Sequence, residues 1–298
     1  MILLLFLEVL KIDEDTYIFY EIEGRGPPLV LLHGWLAYGE IFKEIKDSLK
    51  KEYTVIIPDL PGHGRSSHTL DNYNIDTVAG AVVKLLDHLG IEKFYLLGHS
   101  MGGEIAVIIA GKYRERVKKL ILLGAVGTEY FLKTPAGMLL VILRNSGLDA
   151  VLACTLPKEI VSYVMGATLY FQKEKVNWAL LEKMAEYHFG SIKRRVATLK
   201  MTRECLFPYA LDRVASRISC PVLLIWGEKD IASGVKVGIS FKKLFKNPKF
   251  IILKDSGHMM FQESLPEVLR ELKNFLEASS SASLMEPPFP LALNTPSM

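Results

Sequence analysis

What the chain lacks narrows its class first. Its 298 residues include only three cysteines, widely spaced and in no CxxC pair. Cys154, Cys205 and Cys220 therefore read as free thiols of a reducing, cytoplasmic setting, with no disulfide framework or zinc site. Long apolar runs are absent: Ile2–Leu7 and Met138–Leu143, for example, have six residues each. A membrane span needs roughly 18, so none is expected. The apolar start has no basic lead-in and no small-residue cleavage site, and Glu8 interrupts it early, which favours a first strand over a leader. An excess of one charge is missing too, with 36 Lys and Arg against 33 Asp and Glu and no long basic run. That leaves little electrostatic reason to expect nucleic acid. Disorder is excluded by the opposite pair of features, since half the residues are hydrophobic and the net charge is only +3. No phosphate loop or dinucleotide fingerprint follows a first strand, and no metal-ligand spacing appears, so neither cofactor nor metal is expected.

What is present is an alternation. Short, nearly continuous apolar runs occur at Leu29–Leu32, Val55–Ile57, Phe94–Leu97, Leu120–Leu123, Val222–Trp226 and Phe250–Leu253. Such runs suit parallel strands buried on both faces. Amphipathic segments lie between them, as at Ile75, Val78, Val82, Leu85 and Leu89. Leu3–Ile12 and Tyr17–Glu23 read as an antiparallel hairpin on the sheet edge. The fold class is α/β, a mostly parallel sheet with helices on both faces. Between about Thr128 and Cys205 the pattern is helical throughout, too long and too periodic for a loop. It reads as a helical insertion between two strands. The expected organisation is a core of residues 1–127 and 206–277, a helical cap of 128–205 and a disordered tail of 278–298.

Chemistry concentrates at Gly98-His99-Ser100-Met101-Gly102-Gly103, between the strand Phe94–Leu97 and a helix-forming stretch. A turn this tight needs residues without Cβ two before and two after the serine. It projects the hydroxyl clear of the backbone, near the N–H groups that open the helix. A serine hydroxyl is a weak nucleophile near neutral pH and needs a histidine base and an acid to orient it. Of seven histidines, His258 follows a strand at the carboxyl-end face where such sheets place their sites. His68 and His188 read as surface or packing residues. Asp230 leaves the strand Val222–Trp226 on the same face, with Glu228 as its local competitor.

The order Ser100, Asp230, His258 resembles the α/β-hydrolase superfamily in its capped, lipase- and esterase-like branch. The resemblance covers roughly residues 10–277. It implies an oxyanion hole from the backbone N–H of Met101 and of Trp35 in His33-Gly34-Trp35. Members that place their acid after an earlier strand would need it in Gly124-Ala125-Val126-Gly127, which has no carboxylate. Asp59-Leu60-Pro61-Gly62-His63-Gly64-Arg65-Ser66 matches a recurrent family segment and reads as a structural turn. Serine rather than aspartate at position 100 implies an acyl-enzyme, hence ester, thioester, lactone, amide or C–C acyl cleavage. The cap's Tyr130, Phe131, Met138 and Leu139 read mostly as helix-packing core, but some of that stripe must roof the pocket, which favours carboxylic esters with apolar acyl or aryl groups. C–C bond hydrolysis, a carrier-linked methyl ester and a non-catalytic receptor of the same fold are the alternatives. The cap holds eleven Lys and Arg against seven Asp and Glu, which makes an acidic carrier protein a conceivable partner beside the small-molecule ester.

Overall fold

A computed structural model of the chain describes residues 6–69, 74–205 and 211–278. One sheet is built from β1 (Phe6–Lys11), β2 (Tyr17–Gly24), β3 (Pro28–Leu32), β4 (Thr54–Pro58), β5 (Phe94–His99), β6 (Val117–Leu123), β7 (Val222–Gly227) and β8 (Lys249–Leu253). Their spatial order is β1-β2-β4-β3-β5-β6-β7-β8. β1 and β2 form an antiparallel pair at one edge, β2 is antiparallel to β4, and all pairs from β4 to β8 are parallel. Residues 3–5 of the hairpin and residues 279–298 of the tail lie outside the described residues.

The central strands read as unbroken apolar runs because both of their faces are covered. Val30 and Leu32 enter one core with α2 (Ile75–His88) and α3 (Met101–Lys112), while Leu29 and Leu31 enter another with α1 (Lys43–Leu49). Each buried Leu or Ile contributes about 1.5–3 kcal/mol. β8 has the same kind of sequence, yet Ile252 is 48% exposed, since among the described residues β8 is the outer strand of the sheet. Apolarity alone does not distinguish a central strand from an edge.

Between β6 and β7 the chain forms α4 (Pro135–Ser146), α5 (Leu148–Thr155), α6 (Lys158–Leu169), α7 (Trp178–Phe189), α8 (Ile192–Cys205) and α9 (Leu211–Ala215). α7 buries Leu180, Leu181 and Met184 as an ordinary amphipathic helix does. α4 and α5 behave differently. Only Gly137 of α4 is buried, and no residue of α5 is. Met138 and Leu139, whose composition suggests a packed core, lie exposed. Gly147, at φ 73, lets the chain turn sharply from α4 into α5. Among the described residues no single helix is long and apolar enough to cross a membrane, although this pair, bent by 95°, reaches that length and composition together. α10 (Gly234–Lys242), α11 (Met260–Glu263) and α12 (Leu265–Glu277) complete the chain. The Lys119 ammonium caps α12, donating to the carbonyls of Phe275, Leu276 and Ala278.

Candidate active site

Ser100 occupies the corner between β5 and α3 with φ 55 and ψ −120, a conformation that L-residues rarely adopt. Local packing enforces it. A Cβ on Gly98 would lie 2.3 Å from the Gly102 carbonyl oxygen, and one on Gly102 would lie 2.2 Å from that of Leu32. The Ser100 N–H donates to the Leu123 carbonyl at 3.0 Å, and its own carbonyl accepts from Gly103 at 2.9 Å and Val126 at 3.2 Å. Strain at one residue is thus held by bonds on both sides, as at a residue whose side chain must point one way.

The loop after β3 passes directly over this corner, where a Cβ on Gly34 would meet Ser100 Cβ at 2.9 Å. Buried His33 fixes the loop. Its Nε2 accepts from the Leu60 N–H at 2.9 Å, so Nδ1 carries the proton and donates to the Gly34 carbonyl at 2.9 Å. Burial lowers the pKa of His33 and keeps it neutral. Leu36 follows with a positive φ of 59. The Trp35 indole donates to Thr202 Oγ1 at 2.9 Å, tying the loop to α8. Among the described residues neither the Trp35 N–H nor the Met101 N–H has a hydrogen-bond acceptor. Both flank Ser100 in sequence or in space, and the Met101 N–H also opens α3, whose dipole favours negative charge there.

Asp230 and His258 come together across 28 residues of chain: His258 Nδ1 lies 2.8 Å from Asp230 Oδ2. Asp230 is otherwise saturated, with Oδ1 accepting from the N–H groups of Ala232 and Ser233 and Oδ2 from the Ser233 hydroxyl. Burial alone would raise its carboxyl pKa. The His258 ring and the Ser233 donors outweigh burial and hold it below the usual carboxylate range. An ionised Asp230 has no proton to give, so the shared proton sits on His258 Nδ1, and Nε2 is the nitrogen that carries the lone pair in the neutral ring. Glu228, the local competitor, is exposed and pairs with Lys229 at 3.3 Å. Gly124 abuts the pair, since a Cβ there would lie 3.2 Å from both Asp230 Oδ2 and His258 Nδ1. Its neighbour Leu123 holds the Ser100 N–H, so the two halves of the site share the end of β6. His99, beside the serine, donates from Nε2 to the His258 carbonyl at 3.1 Å. Among the described residues the Ser100 hydroxyl itself is not hydrogen-bonded to the ring.

Glu263 is a positioning residue that the sequence did not reveal. Its buried carboxylate accepts from the N–H groups of Gly257 at 2.7 Å, Phe171 at 2.7 Å and Gln172 at 2.6 Å. The loop of His258 is thereby bound to the segment after α6, which also takes the His258 N–H on the Leu169 carbonyl at 2.8 Å. In sequence Glu263 looks like a surface charge near a helix start, because backbone donors leave no residue-type signal.

His33 and three further histidines, His63, His68 and His188, meet ring to ring. His33 lies 5.1 Å from His63, His63 lies 5.1 Å from His188, and His68 lies 5.7 Å from His188. His188 bonds Thr198 at 3.0 Å, so α7, α8 and the Asp59–Ser66 turn form one buried contact. Burial, then mutual repulsion, lowers the pKa of His63 and His188 well below the ordinary histidine value. No group of three or more His, Cys, Asp or Glu among the described residues is arranged to hold a metal ion. The turn itself is architectural: buried Asp59 accepts from the Gly39 N–H and from Arg65, and a Cβ on Gly64 would strike Asp59. A cleft of about 330 Å³ lies between α1 and α7, lined by Tyr38, Glu40, Lys43, Lys183 and Gln262, and takes in none of Ser100, Asp230 or His258.

Comparison with known proteins agrees with this architecture. A family model described as alpha/beta hydrolase fold matches residues 27–265. A Mycobacterium tuberculosis protein described as uncharacterized is 27% identical over 88% of this chain and 79% of its own length. Monoacylglycerol lipase from Bos taurus is 25% identical over 90% of this chain and 81% of its own. The crystal structure of the meta-cleavage product hydrolase from Pseudomonas fluorescens superposes with a TM-score of 0.73 at 23% identity, covering 89% of this chain and 96% of that one. With a mostly parallel eight-stranded sheet and a family match across most of its length, this chain belongs to the alpha/beta hydrolase family.

Proposed function

We propose that the protein is a serine hydrolase that cleaves carboxylic esters with apolar acyl or aryl groups. The carrying observation is the 2.8 Å contact of His258 Nδ1 with Asp230 Oδ2 against Gly124 at the end of β6, where the Leu123 carbonyl holds the N–H of Ser100 at φ 55 and the His258 ring lies 4.6 Å from that of His99. In this reading His258 Nε2 takes the Ser100 proton as Oγ attacks the carbonyl carbon. The negative charge that forms on the carbonyl oxygen is met by the N–H groups of Trp35 and Met101, each such donor being worth about 3–4 kcal/mol. The imidazolium returns its proton to the leaving alcohol, which departs and leaves an acyl-enzyme. Water, deprotonated by the same nitrogen, then releases the acid and restores Ser100. Asp230 keeps the imidazole in the required tautomer and stabilises its charged form.

Residues 128–205 act in this proposal as a cap, because the segment Leu169–Gln172 is bonded to the loop that carries His258. Its helices supply apolar walls for the acyl or aryl group. The test is turnover of short-chain p-nitrophenyl esters by the full chain. Ser100→Ala should lower kcat by about 10⁴-fold or more, and undiminished turnover would remove Ser100 from the mechanism. A ring-fission diketone in the same series distinguishes C–C bond hydrolysis on the same residues, since only an ester hydrolase prefers the esters.

A further inference from the structure

α4 and α5 are built largely of apolar residues, yet between them only Gly137 is fully buried. From Pro135 to Thr155 they carry one cation, Arg144, and one anion, Asp149. Met138, Leu139 and Ile142, at helical spacing on α4, are 49–61% exposed, and Leu148 and Val151 on α5 are 49% and 54% exposed. Scattered apolar residues are ordinary on a protein surface, but two whole helices with a single buried residue between them are not.

The rim of this face indicates what covers it. α5 packs on α8, which carries Lys193, Arg194, Arg195, Lys200 and Arg203 against a single acid, Glu204. The one anion of the apolar pair is neutralised from that helix, as Arg203 reaches both oxygens of Asp149 at 2.7 Å. Arg195 donates to the carbonyls of Ala153 and Leu156, which places its guanidinium at the end of α5. A second copy of the chain is a poor occupant, because a two-fold contact would bring the basic helix of each copy into one interface. With Arg203 neutralised by Asp149, the charge this helix offers outward is that of Lys193, Arg194 and Arg195, the last two bonded to neutral carbonyls. An acidic protein would meet that charge but set its own charges against the apolar stripes. An anionic bilayer meets both, with the acyl boundary taking the stripes and the headgroups facing these three residues.

We propose that the α4–α5 face docks on the surface of anionic phospholipid bilayers. The helices, of 12 and 8 residues and bent by 95°, lie in the interface and do not cross it. This docking does not depend on the chemistry assigned to Ser100, and it is read by binding rather than turnover.

The test is co-flotation of the full chain with vesicles of phosphatidylcholine alone and of phosphatidylcholine mixed with phosphatidylglycerol. The protein should float with the mixed vesicles, remain largely below with the neutral ones, and be partly released by salt. Ile142→Asp with Val151→Asp should weaken binding roughly tenfold or more, by forcing charge into the acyl boundary. Lys193→Ala should weaken it about fivefold, and its exposed position makes it a change the fold tolerates. Unchanged circular dichroism and an unchanged urea midpoint establish that the variants are folded. The proposal is overturned if the wild type does not float with mixed vesicles, or if the double variant floats equally well. It is also overturned if light scattering without vesicles shows a dimer that Ile142→Asp dissociates, since a second copy would then own the face.

Discussion

The segment between β6 and β7 is attached very differently at its two ends. Around Leu169–Gln172 and α7–α8 it is bonded to the site itself. Glu263 holds the N–H groups of Phe171 and Gln172, Leu169 holds the His258 N–H, and Thr202 holds the Trp35 indole. Around α4–α5 almost nothing is buried. A difference of this kind separates residues that hold the loops of His258 and Trp35 from residues that face outward, although both stretches read as apolar helix in sequence. The bonded end should therefore be sensitive to single atoms and the exposed end insensitive, and substitutions at either end can break that contrast.

The largest effect is expected at the acid. Asp230→Asn removes the acceptor that fixes the His258 tautomer and should lower kcat about 10⁴-fold with little change in the fold; ester kinetics and near-UV circular dichroism together check it. Next, Gly102→Ala drives a methyl into the Leu32 and His33 carbonyls. It should cost about 3 kcal/mol or more of stability, because backbone on both sides cannot yield, as measured by urea denaturation. Glu263→Gln leaves buried N–H donors facing an amide and should cost about 2–4 kcal/mol. It should also lower kcat more than it changes KM, whereas a purely structural role would leave kcat intact in the folded fraction.

The pH dependence of stability tests the histidine contact in the same region. Burial lowers the pKa of His63, His99 and His188 well below the ordinary value of 6.5, so below that pH the unfolded chain binds protons that the folded chain does not. Stability is fully present above about pH 6.5 and falls as the solution is acidified, each such histidine adding up to about 1.4 kcal/mol per pH unit to the slope. Chemical denaturation from pH 7 to pH 5 measures it, and His188→Asn should flatten the curve. The smallest effect belongs to the exposed end, where Leu139→Asp should change stability by no more than about 0.5 kcal/mol. A large loss there would mean that α4 is packed after all.

Much of the core was legible in the sequence because its constraints are local. Gly98 and Gly102 are needed wherever a strand turns into a helix around a serine, and the loops of Asp230 and His258 follow apolar runs that mark strand ends. What escaped detection depends on meetings between distant segments. Glu263 bonds three backbone N–H groups, two of them about 90 residues away, and a backbone donor has no letter. Four histidines look unrelated until α7 returns to the Asp59–Ser66 turn. The exposure of α4 and α5 was hidden for the opposite reason: an apolar helix reads as core whether or not anything lies against it. β8 shows the same limit at the edge of the sheet.

The central claim is that Ser100 is an activated nucleophile. It is tested most directly by incubating the folded chain with a fluorophosphonate and locating the adduct by mass spectrometry of its peptides. One phosphonyl group is expected on Ser100, absent in Ser100→Ala and formed far more slowly in His258→Ala. A folded protein that takes up no label, or carries it on another residue, would contradict it.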